Sequence, residues 1–254
     1  MKEVNMKKNK VNWMSFVLIV LVIICQACGE ITLDEALASA KKTTQRNKEL
    51  LLSIPPSTGT VGTILLAEKQ GKLYMLLARE NINALPGQES DPKWLSKRGT
   101  FSDLGGSTGG DTTQTFLHHI QRELREESMG MVDLGVQPII QNGQLIYKVS
   151  PKGRKIMYLV YLLSPQEFVP QDVLNNKRIQ EADSLPEASL EKDLFLWCEI
   201  TPFLQESLPE EVKINDWNGQ EHAIKLRKFF IQDALTDDFR KIVSFFQKSI
   251  AIQN

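Results

Sequence analysis

The chain has 254 residues, 42% of them hydrophobic and 24% charged, with a formal net charge of −1. That length admits one large domain or two small ones, and the composition is that of a globular protein rather than a disordered or fibrous one. The near-neutral charge gives no case for a nucleic-acid polyanion as partner, and there is no internal repeat or low-complexity tract.

The first 28 residues stand apart. Lys2, Lys7, Lys8 and Lys10 make a basic start, and an apolar run from Trp13 to Cys25 follows, broken only by Ser15. Such a run suits a signal-peptide core of roughly 7–15 residues and is short of the ~20 that a membrane-spanning helix needs. It ends in CQAC, and the small residue before Cys28 resembles the lipobox of bacterial lipoproteins, in which the cysteine is lipidated and becomes the first mature residue. Cys25 stands where an aliphatic residue is usual, so an uncleaved anchor and an ordinary cleaved signal remain open. A lipidated Cys28 implies a membrane-anchored protein facing the periplasm, whereas an uncleaved anchor allows a domain facing the cytosol. Cleavage there would leave Cys28 and Cys198, so no disulfide framework follows, and Cys198 in LFLWCEI reads as a buried free thiol.

Residues 29–57 read as a helical spacer that Pro55-Pro56 stops. Residues 60–79 are two apolar runs around Lys69-Gln70-Gly71-Lys72, which predicts a hairpin. Residues 80–100 look loop-like, residues 100–104 form a short strand candidate, and the glycines at 105, 106, 109 and 110 read as a loop. Asp111, with Gln114 three residues on, offers a capping-box-like start to a helix whose apolar residues Phe116, Leu117, Ile120 and Leu124 recur at helical spacing. Gly130 suits its left-handed C′ stop. Hairpins are expected about Pro151–Arg154 and about Asn218-Gly219, a strand over 193–200, and one or two helices from about Arg227 to Ser249. Helices and strands do not alternate regularly, which argues against a doubly wound parallel sheet.

The central helix ends in RELREE. Glu123, Glu126 and Glu127 share a helix face about 100° wide. Carboxylates at these spacings repel by about 0.2–0.5 kcal/mol per pair, and in a last turn they oppose the helix dipole by about 0.3–1 kcal/mol each. A divalent cation would reverse both penalties, because hard cations take clustered oxygen ligands.

Here the chain resembles the Nudix hydrolases, whose box is written GX5EX7REUXEEXGU, with U aliphatic. Residues 122–127 match REUXEE at every position, Gly130-Met131 resembles the closing pair, and Gly105-Gly106 resembles the opening glycines. The resemblance covers roughly residues 58–235. The chain departs from the box in three places. Two residues, Ser128 and Met129, stand where one is usual, Gln114 occupies the place of the first Glu, and Thr108 occupies that of the first Gly.

The resemblance implies an α+β fold, an α/β/α sandwich with a mixed sheet, a catalytic loop-helix and a C-terminal helix, over residues 58–254. It implies Mg²⁺ or Mn²⁺ held by Glu123, Glu126, Glu127 and the Gly105 carbonyl, with Arg122 bracing the carboxylates. The activity implied is cleavage of the diphosphate bond of a small nucleoside diphosphate linked to another moiety, with Glu181, Glu187 and Glu191 as candidates for a later carboxylate acting as base. The alternative is a non-catalytic module of the same fold that binds a nucleotide or a protein. His118 and His119 point about 100° apart on a helix and read as non-ligating. Lys97 and Arg98 read as a solvated loop, and Trp217 as a hairpin packing residue.

Overall fold

The computed structural model describes residues 33–53, 59–83, 89–109 and 113–253. The expected signal with Cys28, the Pro55-Pro56 stop and Asp111 lie outside the described residues. Seven helices are described: α1 (Leu33–Ser53), α2 (Pro92–Lys97), α3 (Phe116–Glu127), α4 (Val136–Asn142), α5 (Gln171–Gln180), α6 (Lys228–Asp233) and α7 (Asp237–Gln253). The strands are β1 (Gly59–Lys69), β2 (Lys72–Glu80), β3 (Phe101–Ser102), β4 (Leu104–Ser107), β5 (Gln144–Val149), β6 (Lys155–Leu162), β7 (Lys192–Glu199), β8 (Glu211–Asn215) and β9 (Glu221–Lys225).

A mixed seven-stranded sheet forms the middle layer. β1 and β2 make the expected hairpin, with Gln70 and Gly71 both at positive φ as a tight two-residue turn requires. β1 runs parallel to β6, and β6 pairs antiparallel with β5. Beyond residues 66–69 and 72–75 the two arms of the first hairpin part. The segment 101–107 fills the fork, β3 pairing with β2 and β4 with β1. β7 lies along the other edge of β2.

Alternation along β2 assigns the two faces of the sheet. Leu73, Met75 and Leu77 join a core with Phe239 and Val243 of α7 and Ile214 and Ile224 of the β8–β9 hairpin. Tyr74, Leu76 and Ala78 face the other way, into a core with Phe116, Leu117, Ile120 and Leu124 of α3, Ile139 of α4, Leu174 of α5 and Leu51 of α1. Helices therefore cover both faces, and the fold is the α+β sandwich expected. Burying the four apolar side chains of α3 contributes about 1.5–3 kcal/mol each, which fixes that helix against the sheet.

Several local expectations need correcting. Gly105 and Gly106 are strand residues of β4, since their backbones pair with Gly62 and Val61. The 80–100 stretch contains α2, which Asp91 caps by accepting from the Lys93 N–H. α3 begins at Phe116, not beside Asp111, and its cap is Thr115, whose hydroxyl accepts from the His118 N–H. At the other end Gly130 is one place too late to be C′. Met129 takes that left-handed position with φ 56°, its N–H reaching the Glu126 carbonyl while the Gly130 N–H reaches that of Arg125. Helices α4 and α5 were not foreseen. Only Gln171 and Leu174 of α5 are buried, so no apolar stripe marks it in the sequence.

Candidate active site

The box helix α3 lies beside the opening of the β1–β2 fork, and β4 crosses beneath its last turns. Glu123 and Glu127, four residues apart, face the sheet and are buried, while Glu126 is about one third exposed. The backbone of β4 meets them. A Cβ added to Gly106 would lie 2.6 Å from Glu123 Oε2, so any other residue here would push that carboxylate aside. One residue back, the Gly105 N–H donates to Glu127 Oε2 at 2.5 Å.

Two cations of the protein itself lie among these acids. Arg122 spans two of them, donating from Nη1 to Glu126 Oε2 at 2.7 Å and from Nη2 to Glu123 Oε1. Lys192, the first residue of β7 and 1% exposed, places its Nζ 3.3 Å from Glu127 Oε1 and 2.8 Å from Glu80 Oε1. Glu80 also meets Arg227 at 3.2 Å and Lys97 at 3.2 Å, and Lys97 extends to Glu191 at 3.5 Å. A continuous ionic chain thus joins the box helix to the ends of β2 and β7.

Burial sets the electrostatics. It raises the Glu127 carboxyl well above the usual range. Lys192 pulls the other way, and Glu80, Glu123 and Asp103 add to the rise. Burial raises Glu123 too, against the pull of Arg122 and with Glu126 adding to it. Asp103, at the fork, is pushed up to about 6 by burial, only partly offset by Lys192 and Arg227. Glu80 goes the other way. Burial opposes its ionisation, but Lys192, Lys97 and Arg227 together hold it down to about 2. Lys192 stays charged, since Glu127 and Glu80 outweigh its desolvation.

Of the expected site residues, Arg122, Glu123 and Glu126 are joined directly, Gly105 and Gly106 lie against the carboxylates, and Glu127 turns inward to Lys192. Among the described residues, no three His, Cys, Asp or Glu side chains converge as a ready ligand group. Of the three later acids, Glu191 lies near enough to Glu123 to help raise its pKa. Glu181 is held by Lys177, and Glu187 is an exposed residue at the start of a 3-10 turn, Glu187–Leu190. His118 accompanies its cap, Thr115, and Trp217 stacks on Phe168 with 4.5 Å between centroids, a packing role as expected. Arg98 lies over Trp94, but Lys97 belongs to the ionic chain rather than to solvent. Lys192, Glu80, Asp103 and Arg227 were missed. Glu80 and Lys192 stand at the ends of apolar strands, where an ionisable residue usually means an exposed strand end, and Asp103 and Arg227 lie outside the strands.

The oxygen-rich donor set is of the kind a hard divalent cation takes. Gly106 leaves room at Glu123 that any side chain would fill. The chemistry of Glu123 and Glu126 beside the β4 backbone would suit a hard divalent cation, while Glu127 is held by the Gly105 N–H and Lys192.

No family model and no curated protein matches the chain. Solved structures are similar to it in backbone path. A MutT/nudix family protein from Enterococcus faecalis has a TM-score of 0.38 at 14% identity, over 83% of this chain and 67% of that one. One of the same description from Listeria innocua has a TM-score of 0.38 at 17% identity, over 76% of this chain and 98% of that one. The NUDIX domain of Shewanella oneidensis NrtR, solved with ADP ribose, has a TM-score of 0.36 at 15% identity, over 72% and 86%. The chain spans 62% and 63% of two longer Shewanella oneidensis NrtR structures, less than two thirds of their length. At such scores the case for the site rests on its own geometry.

Proposed function

We propose that the chain is a Nudix-type, divalent-metal-dependent hydrolase that cleaves the diphosphate bond of a nucleoside diphosphate derivative. The observation that carries this reading is the placing of Glu123 and Glu127 against the side-chain-free backbone of Gly106 and Gly105, with Glu126 joined to Glu123 through Arg122. Bound Mg²⁺ or Mn²⁺ would neutralise phosphate charge and lower the pKa of a water. The protein's own contribution is positional. Arg122 holds Glu123 and Glu126 in one orientation, and the buried face of α3 fixes both against β4. Glu191, partly exposed beside Glu123, is the later carboxylate best placed to accept a proton from that water.

The apolar run from Trp13 to Cys25, with a small residue and then Cys28 close behind it, supports a lipidated anchor and a periplasmic domain. No described helix is long and apolar enough to cross a membrane, and residues 1–32 lie outside that search. Assay of the chain from residue 29, with Mg²⁺, against nucleotide sugars, dinucleotides, ADP-ribose and nucleoside triphosphates should reveal turnover that Glu127→Gln abolishes. No turnover above that variant anywhere in the panel overturns the hydrolase. Mass spectrometry of the full chain made in a bacterium should find Cys28 lipidated, and an intact Met1 peptide removes that location.

One observation favours a second reading, a non-catalytic module of the same fold that binds a nucleotide or a protein. Both oxygens of Glu127 already have protein partners. That reading predicts nucleotide binding that survives Glu123→Gln and Glu127→Gln unchanged.

A further inference from the structure

The position of Lys192 depends on an irregularity of the sheet. β2 and β7 pair in steady register from Tyr74↔Glu199 to Arg79↔Leu194, which would set Asp193 opposite Glu80. A register shift between Arg79 and Glu80 puts Lys192 there instead. Such a bulge inserts one residue and re-aims the side chains around it. Without it, two-residue alternation would leave Lys192 on the same face as Leu194 and Leu196, away from α3. With it, Lys192 shares the face of its partner Glu80, which is also the face of α3, and its ammonium reaches Glu127. The displaced Asp193 is tied down separately, by Arg79 Nε at 2.7 Å and by the Ile82 N–H at 2.9 Å, so the bulge is held on both sides.

We propose that Lys192 is a positioning residue that competes with a divalent cation for the Glu127 carboxylate, so that metal binds the box by displacing this lysine onto Glu80 alone. This rests on the hydrolase reading above. The geometry makes the exchange local. Glu80 already accepts from Lys192 at the shorter of its two contacts, so the ammonium keeps a partner when Glu127 leaves it. Glu127 in turn keeps its bond from the Gly105 N–H on one oxygen, and only the oxygen facing Lys192 has to change partner. No such partner exchange is required at Arg122, which contacts only one oxygen each of Glu123 and Glu126.

The test is Mn²⁺ binding to the full chain in detergent, read by electron paramagnetic resonance of free Mn²⁺ and independent of turnover. Lys192→Met should bind Mn²⁺ at least about tenfold more tightly than the wild type. Glu127→Gln added to it should erase the gain, and Lys192→Arg should restore the wild-type affinity. A lysine with only a structural role predicts the opposite, weaker binding in Lys192→Met as the site loosens. Equal or weaker binding in Lys192→Met therefore overturns the proposal while leaving the hydrolase intact. No binding by either protein overturns both. If Lys192→Met does not fold, the side-chain ammonium resonance of Lys192 in the wild type provides the second measurement. Mg²⁺ should shift it as Glu127 is lost, and a resonance unmoved at saturating Mg²⁺ rejects the exchange.

Discussion

Asp103 sits where the first hairpin forks, so close to Gly62 that a side chain on that glycine would collide with its carboxylate. Burial pushes this acid up to about 6, whereas Glu80, a few residues away across the ionic chain, is held down to about 2. The two make opposite contributions to stability. Asp103 keeps its proton in the fold above the pH at which the unfolded chain loses it, so its charge costs stability at neutral pH and the fold gains as pH falls toward 4. Glu80 is more acidic folded than unfolded, so its contribution is whole above about 4.5 and lost as pH falls toward 2. A shift of about two units corresponds to roughly 3 kcal/mol for each. In chelator, the melting temperature should therefore rise as pH falls below about 7, reach a maximum at about pH 4, where the two contributions balance, and then fall. Asp103→Asn should stabilise the protein at pH 8 by about 1–3 kcal/mol and flatten the rise. A variant less stable than the wild type at pH 8, or an unchanged slope, would show that Asp103 is not the source. Nothing in TFSDL marks this acid as buried, because a strand of five residues does not announce that its neighbours diverge around it.

At the scale of elements, β4 is the strand that makes the site, and its two glycines do different work. A Cβ on Gly105 would meet the Val61 carbonyl and the Gly62 Cα, which are backbone and cannot turn aside without breaking the β1–β4 pairing. The atoms nearest a Cβ on Gly106 would be those of the Glu123 carboxylate, the end of a flexible side chain. Gly105→Ala should thus destabilise by about 1–3 kcal/mol. Gly106→Ala should unfold at nearly the wild-type denaturant concentration and yet lose about 100-fold in turnover, since an ångström of displacement at a ligand costs that much. If the two alanines cost the same stability, the division of labour is wrong. The glycine run reads as a loop because glycine is depleted in strands, and the close backbone approach that makes glycine necessary here is a tertiary fact. The box itself was legible, since its spacing is local to one helix. Its odd C-terminus was legible only as an extra residue, and the backbone shows instead that Met129 occupies the glycine's left-handed place. The bulge that supplies Lys192 left no pattern, because a single inserted residue does not disturb the apolar run LFLW that follows it.

For the whole molecule, the question is where the segment before β1 belongs. Its composition reads as a spacer, and α1 is 21 residues long, about 30 Å at 1.5 Å per residue. Its C-terminal part is nevertheless built into the domain. Leu51 is fully buried in the core that carries α3, and Asn47, 3% exposed, donates from its side-chain amide to the Ile140 carbonyl at 3.2 Å and the Gly143 carbonyl at 2.7 Å. Those carbonyls close the end of α4, so α1 caps α4 from outside and presses on the helix face behind the box. Truncating Leu51 to alanine should cost about 2–5 kcal/mol, and Asn47→Ala, which leaves two buried acceptors short of a donor, about 1–3 kcal/mol. A chain beginning at residue 58 loses both contacts and should unfold at markedly lower denaturant than one beginning at residue 29. Equal midpoints for those two chains would return α1 to the role of a spacer. A helix fixed by its C-terminal part to the α3–α4 face is thereby held in a set direction relative to the box.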